Sequence, residues 1–284
     1  MTLLSYAAIY VIWGSTFLAI RLAIDSIPPL LMMGARCVAA GALLVLWAAV
    51  RGERTGWVAW RHAAIAGVLM FACTYGGLAW AEERIASGVA ALLVATVPLW
   101  MTVFKWAGRR FTPSRGTIAG LALGFGGVAL LVWRGLSPSM ALIPAAVILL
   151  GEITWAAGAL YARPPRLPDN VALNAGMPLL TGGVALVAAS YGTHELQHFN
   201  PHAVSMVSLA ALLYLIIFGS IVAFSAYAWL MQVAPASRVS THAYVNPLIA
   251  VALGGAVGGE PFTPAIAASS LVIAAGVAVV LAAK

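Results

Sequence analysis

The chain has 284 residues, 63% of them hydrophobic and only 8% charged, with 15 Lys+Arg against 8 Asp+Glu and a net charge of +7. Soluble chains run about 45–50% apolar and about 25% charged, so a soluble enzyme, a coiled coil, a disordered chain and a nucleic-acid-binding domain are excluded. Cys37 and Cys73 both fall inside apolar runs and read as small buried hydrophobes, not as a disulfide framework.

A spanning helix needs roughly 20 apolar residues, and ten such runs follow one another: 3–21, 30–50, 62–81, 86–107, 116–134, 140–161, 171–191, 204–231, 238–257 and 264–283. The first has no basic segment before it and Arg21 after it, as expected of a retained span rather than a leader. The expected fold is all-α integral membrane, with nothing left over for a soluble domain.

The gaps alternate in charge. Arg51, Arg54 and Arg61 follow run two; Lys105, Arg109, Arg110 and Arg115 follow run four; Arg163 and Arg166 follow run six. With Arg238 and Lys284, eleven of the 15 basic residues fall on one side, whereas the alternate gaps hold Glu82, Glu83, Glu195 and Glu260. Lys and Arg collect in cytoplasmic loops, so both termini are expected in the cytoplasm.

In the first run Tyr6, Tyr10, Trp13 and Phe17 lie at i, i+4, i+7 and i+11, one stripe down a helix. It is either a packing face or a cavity wall. Run two carries Arg36, and run three Tyr75 beside Gly76 and Gly77. Run four carries Thr96, Pro98 and Trp100, with Thr96 and Trp100 on one face. Run six holds Glu152 near its middle, then Trp155; run eight holds Tyr227. In run nine His242 and Asn246 share a face and Pro247 follows.

A proline removes a backbone donor and frees the carbonyl four residues earlier, which a membrane tolerates where the backbone faces protein or a water-filled cavity. Pro98 and Pro247 are therefore candidate hinges. Tyr10, Trp13, Tyr75, Thr96, Trp100, Trp155, Tyr227, His242 and Asn246 are the candidate substrate-binding residues, each with ordinary helix packing as its competing role. Trp47, Trp57, Trp60, Trp80, Trp106 and Trp133 lie at or near span ends and read as interface anchors.

Ionisable groups inside a span mark function by default. Arg36 and Glu152 either pair with each other, or Glu152 pairs with Arg163, or Glu152 relays protons and couples transport to a gradient. The string HELQH at 194–198 matches the H-E-x-x-H zinc pattern, but Gly192 precedes it and Asn200-Pro201 interrupts the path to His202. It reads as a solvated outer loop, the zinc metalloprotease being the competing function of a different class. No catalytic residue, metal or cofactor is expected, and no Gly-rich phosphate loop is present in the sequence.

The chain repeats itself. Pro98 in ATVPLW and Pro247 in YVNPLI are 149 positions apart, the Phe-Thr-Pro triplets of RRFTPS and EPFTPA 151 apart, and Trp13 and Arg21 answer to Trp155 and Arg163 at 142. Two five-helix repeats are expected, 1–138 and 139–284. Five is odd, so the second enters the membrane in the opposite sense, the inverted pattern of secondary transporters with a midplane site.

The motifs WGSTFLAIRLAI (13–24), GARCVAAGALL (34–44), ASGVAALLVATVPLW (86–100) and FSAYAWLMQVAPASRVSTHAYVNPLIAVALGGAVGGEPFTP (224–264) resemble an EamA-type transporter of the drug/metabolite transporter superfamily. Within it the chain is most similar to bacterial amino-acid exporters, including those for aromatic amino acids. The resemblance implies ten helices, a central cavity, a bacterial inner membrane and efflux of a small molecule, amino acids first and drugs or nucleobases as the alternative. One departure stands out: the second half has the family's Gly259-Glu260, where the first has Gly108-Arg109-Arg110. The acid is thus expected as a helix-end or loop feature, not as a duplicated catalytic group.

Overall fold

The computed structural model describes residues 2–108, 112–135, 142–162, 166–234, 239, 241–260 and 263–283. Among these residues, nine helices are long and apolar enough to cross a bilayer: α1 Thr2–Ala23, α2 Pro29–Val50, α3 Trp57–Glu82, α4 Ser87–Ala107, α5 Arg115–Trp133, α6 Leu142–Tyr161, α7 Val171–Gly192, α8 Met206–Val233 and α10 Pro264–Ala282. Between the last two lies α9, His242–Ala256, 15 residues and thus about 22 Å long. The all-helical membrane fold and its ten helices are as the sequence predicts. Arg109, Arg110, Arg163, Arg238 and Lys284, used in the charge count, lie outside the described residues.

Short connections hold neighbouring helices antiparallel. The face that carries the N terminus is here called the N face, and its opposite the far face. The third helix starts at Trp57, five residues before the apolar run that marks it. Arg61 lies on its exposed side, and His62 meets the Tyr161 hydroxyl at 2.7 Å through Nδ1. Of the expected anchors, Trp47, Trp57, Trp106 and Trp133 are exposed, and Arg51 and Arg84 lie over the rings of Trp47 and Trp80.

Two helix pairs pack most extensively, α2 with α7 and α5 with α10, and glycine makes both approaches possible. A Cβ on Gly41 would lie 2.8 Å from the Gly176 carbonyl oxygen, and one on Gly34 would lie 3.3 Å from that of Gly183. Gly34 and Gly176, like Gly41 and Gly183, are 142 positions apart. The crossing therefore joins residues that the sequence repeat relates at the same offset. In the other pair Gly127 faces Ile273 and Gly276 faces Gly124, again related by one offset, now 149.

Helix N-termini leave unpaired N–H groups. Those of α5, α7, α8 and α10 are capped locally by Ser114, Asn170, Ser205 and Thr263. α2 and α4 follow Pro28 and Ala86, which offer no side-chain cap. Distant carboxylates replace them. Glu195 accepts from the N–H of Leu30 (3.3 Å) and Leu31 (3.1 Å), and Glu260 from those of Ser87 (2.7 Å) and Gly88 (3.1 Å). A negative group there also meets the positive end of the helix dipole. Glu260 thus lies in the loop after α9 and serves the start of α4. The 194–198 stretch differs from the expected solvated loop: Glu195 also accepts from Ser190 Oγ at 2.8 Å and clamps α2.

Candidate functional site

Seven helices leave a central cavity of about 110 Å3, room for on the order of ten waters. α1 contributes Trp13, Thr16, Phe17 and Ile20, α2 Arg36, α3 Thr74, Tyr75 and Leu78. α4 contributes residues from Ala91 to Met101, α6 Glu152 and Trp155, α8 Tyr227, and α9 His242, Ala243, Asn246 and Pro247. At the far end Phe17, Ile20, Arg36, Thr74, Leu78 and Ala91 are buried, and beyond them Ala23, Ile24, Ile27, Ala81 and Ile85 close the bundle. Toward the N face Val97, Met101, Trp155, Tyr227 and His242 are partly exposed. The cavity is sealed on one side and accessible from the other.

Its walls are aromatic. Tyr75 and Trp155 stack at 5.8 Å and 15°. Phe71, fully buried, meets Tyr75, Trp155 and Phe224 edge-on at 5.2–5.6 Å. Trp13 continues the belt to Tyr227 at 5.2 Å and to the His242 ring at 5.1 Å, and donates Nε1–H to the Gly219 carbonyl at 3.1 Å. Such ring pairs add about 0.5–1.5 kcal/mol each beyond their burial. Three π-helical stretches flank these positions: Ala8–Ile12 before Trp13, Val68–Cys73 before Thr74, and Leu215–Val222, which carries Gly219. Wide turns of this kind re-aim side chains and occur mostly at functional sites.

α4 breaks at Ala95–Thr96. Pro98 offers no N–H to the Val94 carbonyl, and Pro247 offers none to that of Ala243. Both Val94 and Ala243 line the cavity.

Of the sequence-predicted residues, Trp13, Tyr75, Trp155, Tyr227, His242, Asn246, Pro98, Pro247 and Glu152 come together here. Tyr10, Thr96 and Trp100 do not. Tyr10 lies one turn nearer the N face, its hydroxyl 2.5 Å from Thr241 Oγ1, and ties α1 to the start of α9. Thr96 and Trp100 share a face, but it is turned toward α5. The Thr96 hydroxyl donates to Leu93 O at 2.7 Å, and the Trp100 ring meets Phe125 at 4.8 Å. The cavity face of α4 is the neighbouring register of Val94, Val97–Pro98 and Met101.

Asn246 lines the cavity with its amide already engaged. The orientation that suits its surroundings puts the nitrogen 3.1–3.2 Å from the carbonyl oxygens of Ile9, Tyr10 and His242. Phe71 and Phe224 escape sequence reasoning, since a Phe in an apolar run carries no mark.

Arg36 and Glu152 both line the cavity and are 2% and 1% exposed. The expected ion pair between them does not form; among the described residues Arg84–Glu83 is the pair present. One Glu152 carboxylate oxygen is buried without a hydrogen-bond partner among them. The alternative partner, Arg163, lies outside the described residues.

With this geometry in place, comparison with known proteins agrees with it. The pattern of the EamA-like transporter family matches residues 1–133 and 142–282. The inner membrane transporter YedA of Escherichia coli (strain K12) is 37% identical over 259 residues, covering 89% of this chain and 81% of that one. The transporter YvbV of Bacillus subtilis (strain 168) is 24% identical over 283 residues, covering 98% and 91%. A solved crystal structure with 20% identity shares the fold at a TM-score of 0.69, covering 98% of this chain and 96% of that one.

Proposed function

Because the chain belongs to the EamA-like transporter family, we propose that it is a secondary transporter exporting amino acids or similar small zwitterionic metabolites from the cytoplasm by alternating access. The family and its transporter relatives make it an integral membrane transporter rather than an enzyme. The observation that carries the finer reading is the aromatic cavity, sealed at the far face and accessible from the N face.

Of the basic residues of the gaps, Arg51, Arg54, Arg61, Lys105, Arg115 and Arg166 are described and lie toward the N face, which by the positive-inside rule would be the cytoplasmic one. Cytoplasmic substrate would enter past Met101, Tyr227 and His242 and rest between Trp13, Tyr75 and Trp155. The glycine contacts of α2/α7 and α5/α10 support two inverted repeats, 1–138 and 139–284, whose rocking would open the far face and close the N face. Pro98 and Pro247, each beside a freed carbonyl, are the proposed hinges. Glu152, buried and without an ion-pair partner among the described residues, is the proposed proton-coupling residue.

Reconstitution in liposomes tests the reading. Labelled L-leucine, L-phenylalanine and L-threonine should enter saturably, with excess unlabelled amino acid abolishing uptake. Folded protein that moves none of them but does move lipophilic cations or nucleobases would replace the amino-acid reading with the alternative.

A further inference from the structure

We infer that Arg36 reads the carboxylate of the transported molecule, so that substrate lies with its anionic end under the far-face seal and its cationic end toward Glu152. This rests on the reading of the cavity as a site for small zwitterions, and it assigns the pole that the aromatic walls leave open.

The guanidinium is held in a built niche. Its Nε donates to Ser220 Oγ at 2.8 Å, Nη1 lies 3.8 Å from Met33 Sδ, and Cζ sits 4.8 Å over the Tyr75 ring. Gly219 makes the space: a Cβ there would lie 3.1 Å from Nη2. The Trp13 indole holds the Gly219 carbonyl, so the niche floor is tied to the cavity wall. A serine, a thioether and a ring face orient the cation without neutralising it. No carboxylate pairs with it among the described residues.

A buried charge without a counter-ion is costly unless something supplies one. Glu152 is the complementary case on the same cavity. Both groups line the cavity, and among the described residues no ion pair joins them. A zwitterion satisfies the two in one step. Its carboxylate takes the two-pronged guanidinium contact, its ammonium faces Glu152, and its side chain meets the Tyr75–Trp155 stack. A lone cation would leave Arg36 repelling it, and a neutral molecule would leave the guanidinium uncompensated.

The test is equilibrium binding to the purified full-length protein in lipid nanodiscs. The probes are L-leucine and L-phenylalanine, their carboxamides, and the amines isopentylamine and phenethylamine. Each carboxamide keeps the ammonium and the side chain and loses only the anion. Wild-type protein should bind the acids at least roughly tenfold more tightly than the amides or amines, because a site built for a polar group rejects the analogue lacking it. Arg36→Gln should bring the acid-to-amide ratio to about one, with acid binding weakened and amide binding no weaker than in wild type once the repelling charge is gone, a change that a purely structural arginine would not produce. Arg36→Lys should retain part of the ratio, having the charge without the planar fork.

Equal wild-type affinity for acids and amides overturns the assignment. So does an Arg36→Gln protein that keeps the ratio; the amino-acid reading of the cavity then survives without Arg36. Wild-type protein that binds none of the six probes overturns both. Should Arg36→Gln not fold, the wild-type ratio and the lysine variant decide the matter.

Discussion

The glycine crossings and the central cavity use opposite chemistry to fill the same bundle. At α2/α7 and α5/α10 side chains are removed until backbones touch, and the contacts are made among residues whose repeat counterparts lie 142 or 149 positions away in the sequence. In the cavity side chains are large, aromatic and charged, and the halves are not equivalent: Trp13 donates to a carbonyl while its counterpart Trp155 stacks on Tyr75. In lipid, helix association has no hydrophobic drive and depends on close packing and interhelical hydrogen bonds. The crossings supply that packing and keep the repeat symmetry. The cavity can then carry charges and rings that contribute little to assembly.

The contrast breaks most readily at a crossing. Gly41→Leu should have the largest effect on folding, since its Cβ would fall 2.8 Å from both Gly176 O and Leu180 Cα. Overpacking against side chains costs typically about 1–3 kcal/mol, and here the neighbour is backbone that cannot rotate away. Little monodisperse protein is expected on gel filtration. Gly126→Leu, at a position with nothing within 4 Å, should elute and melt as wild type. If the two behave alike, the crossings do not hold the bundle together.

A cavity substitution should do the reverse. Trp155→Ala removes the stack on Tyr75 and the edge contact with Phe71. A lost ring contact to the substrate, about 0.5–1.5 kcal/mol, corresponds to roughly a two- to tenfold rise in KM for labelled amino-acid uptake, with gel filtration unchanged. Loss of folded protein instead would make the aromatic belt part of the scaffold.

Glu152→Gln sharpens the division inside the cavity. The amide keeps size and hydrogen bonding but takes no proton. Stimulation of counterflow by an imposed pH gradient should disappear, while exchange without a gradient persists at a reduced rate. An unchanged gradient response would leave Glu152 as the substrate's ammonium partner alone.

These effects separate what the sequence declares from what it hides. Spans were legible because roughly 20 apolar residues are needed to cross, and few other structures need them. The start of α3 was not, because Arg61 looks like a loop residue, yet it lies exposed on the helix. The cavity was legible where a rare residue marked it, as at Trp13, Tyr75, Trp155 and Glu152. It was hidden where register decided, as at Thr96 and Trp100. The break at Ala95–Thr96 gives the cavity to the next face, and an unbroken helical wheel does not contain it. Phe71 and Phe224 were hidden because a Phe in an apolar run is the expected residue.

The smallest expected effect lies between scaffold and cavity, at the far-face caps. Pro28 and Ala86 cannot cap α2 and α4, and Glu195 and Glu260 reach across from the second half to do so. Each carboxylate satisfies two N–H groups that would otherwise be unpaired beside the seal. Capping groups contribute about 0.5–2 kcal/mol, so Glu260→Ala should lower Tm by a few degrees without preventing folding. Glu260→Gln, still an acceptor but without charge, should fall between. The effect on mechanism should exceed that on stability. Rocking the halves apart at the far face would pull Glu260 off the start of α4, so the cap stabilises the sealed arrangement more than the opened one. A cysteine placed at Ile24, buried beneath the seal, should therefore be labelled faster by an impermeant maleimide in Glu260→Ala than in the wild-type background. Equal labelling rates together with a lowered Tm would make the cap a structural bond that the conformational cycle leaves intact.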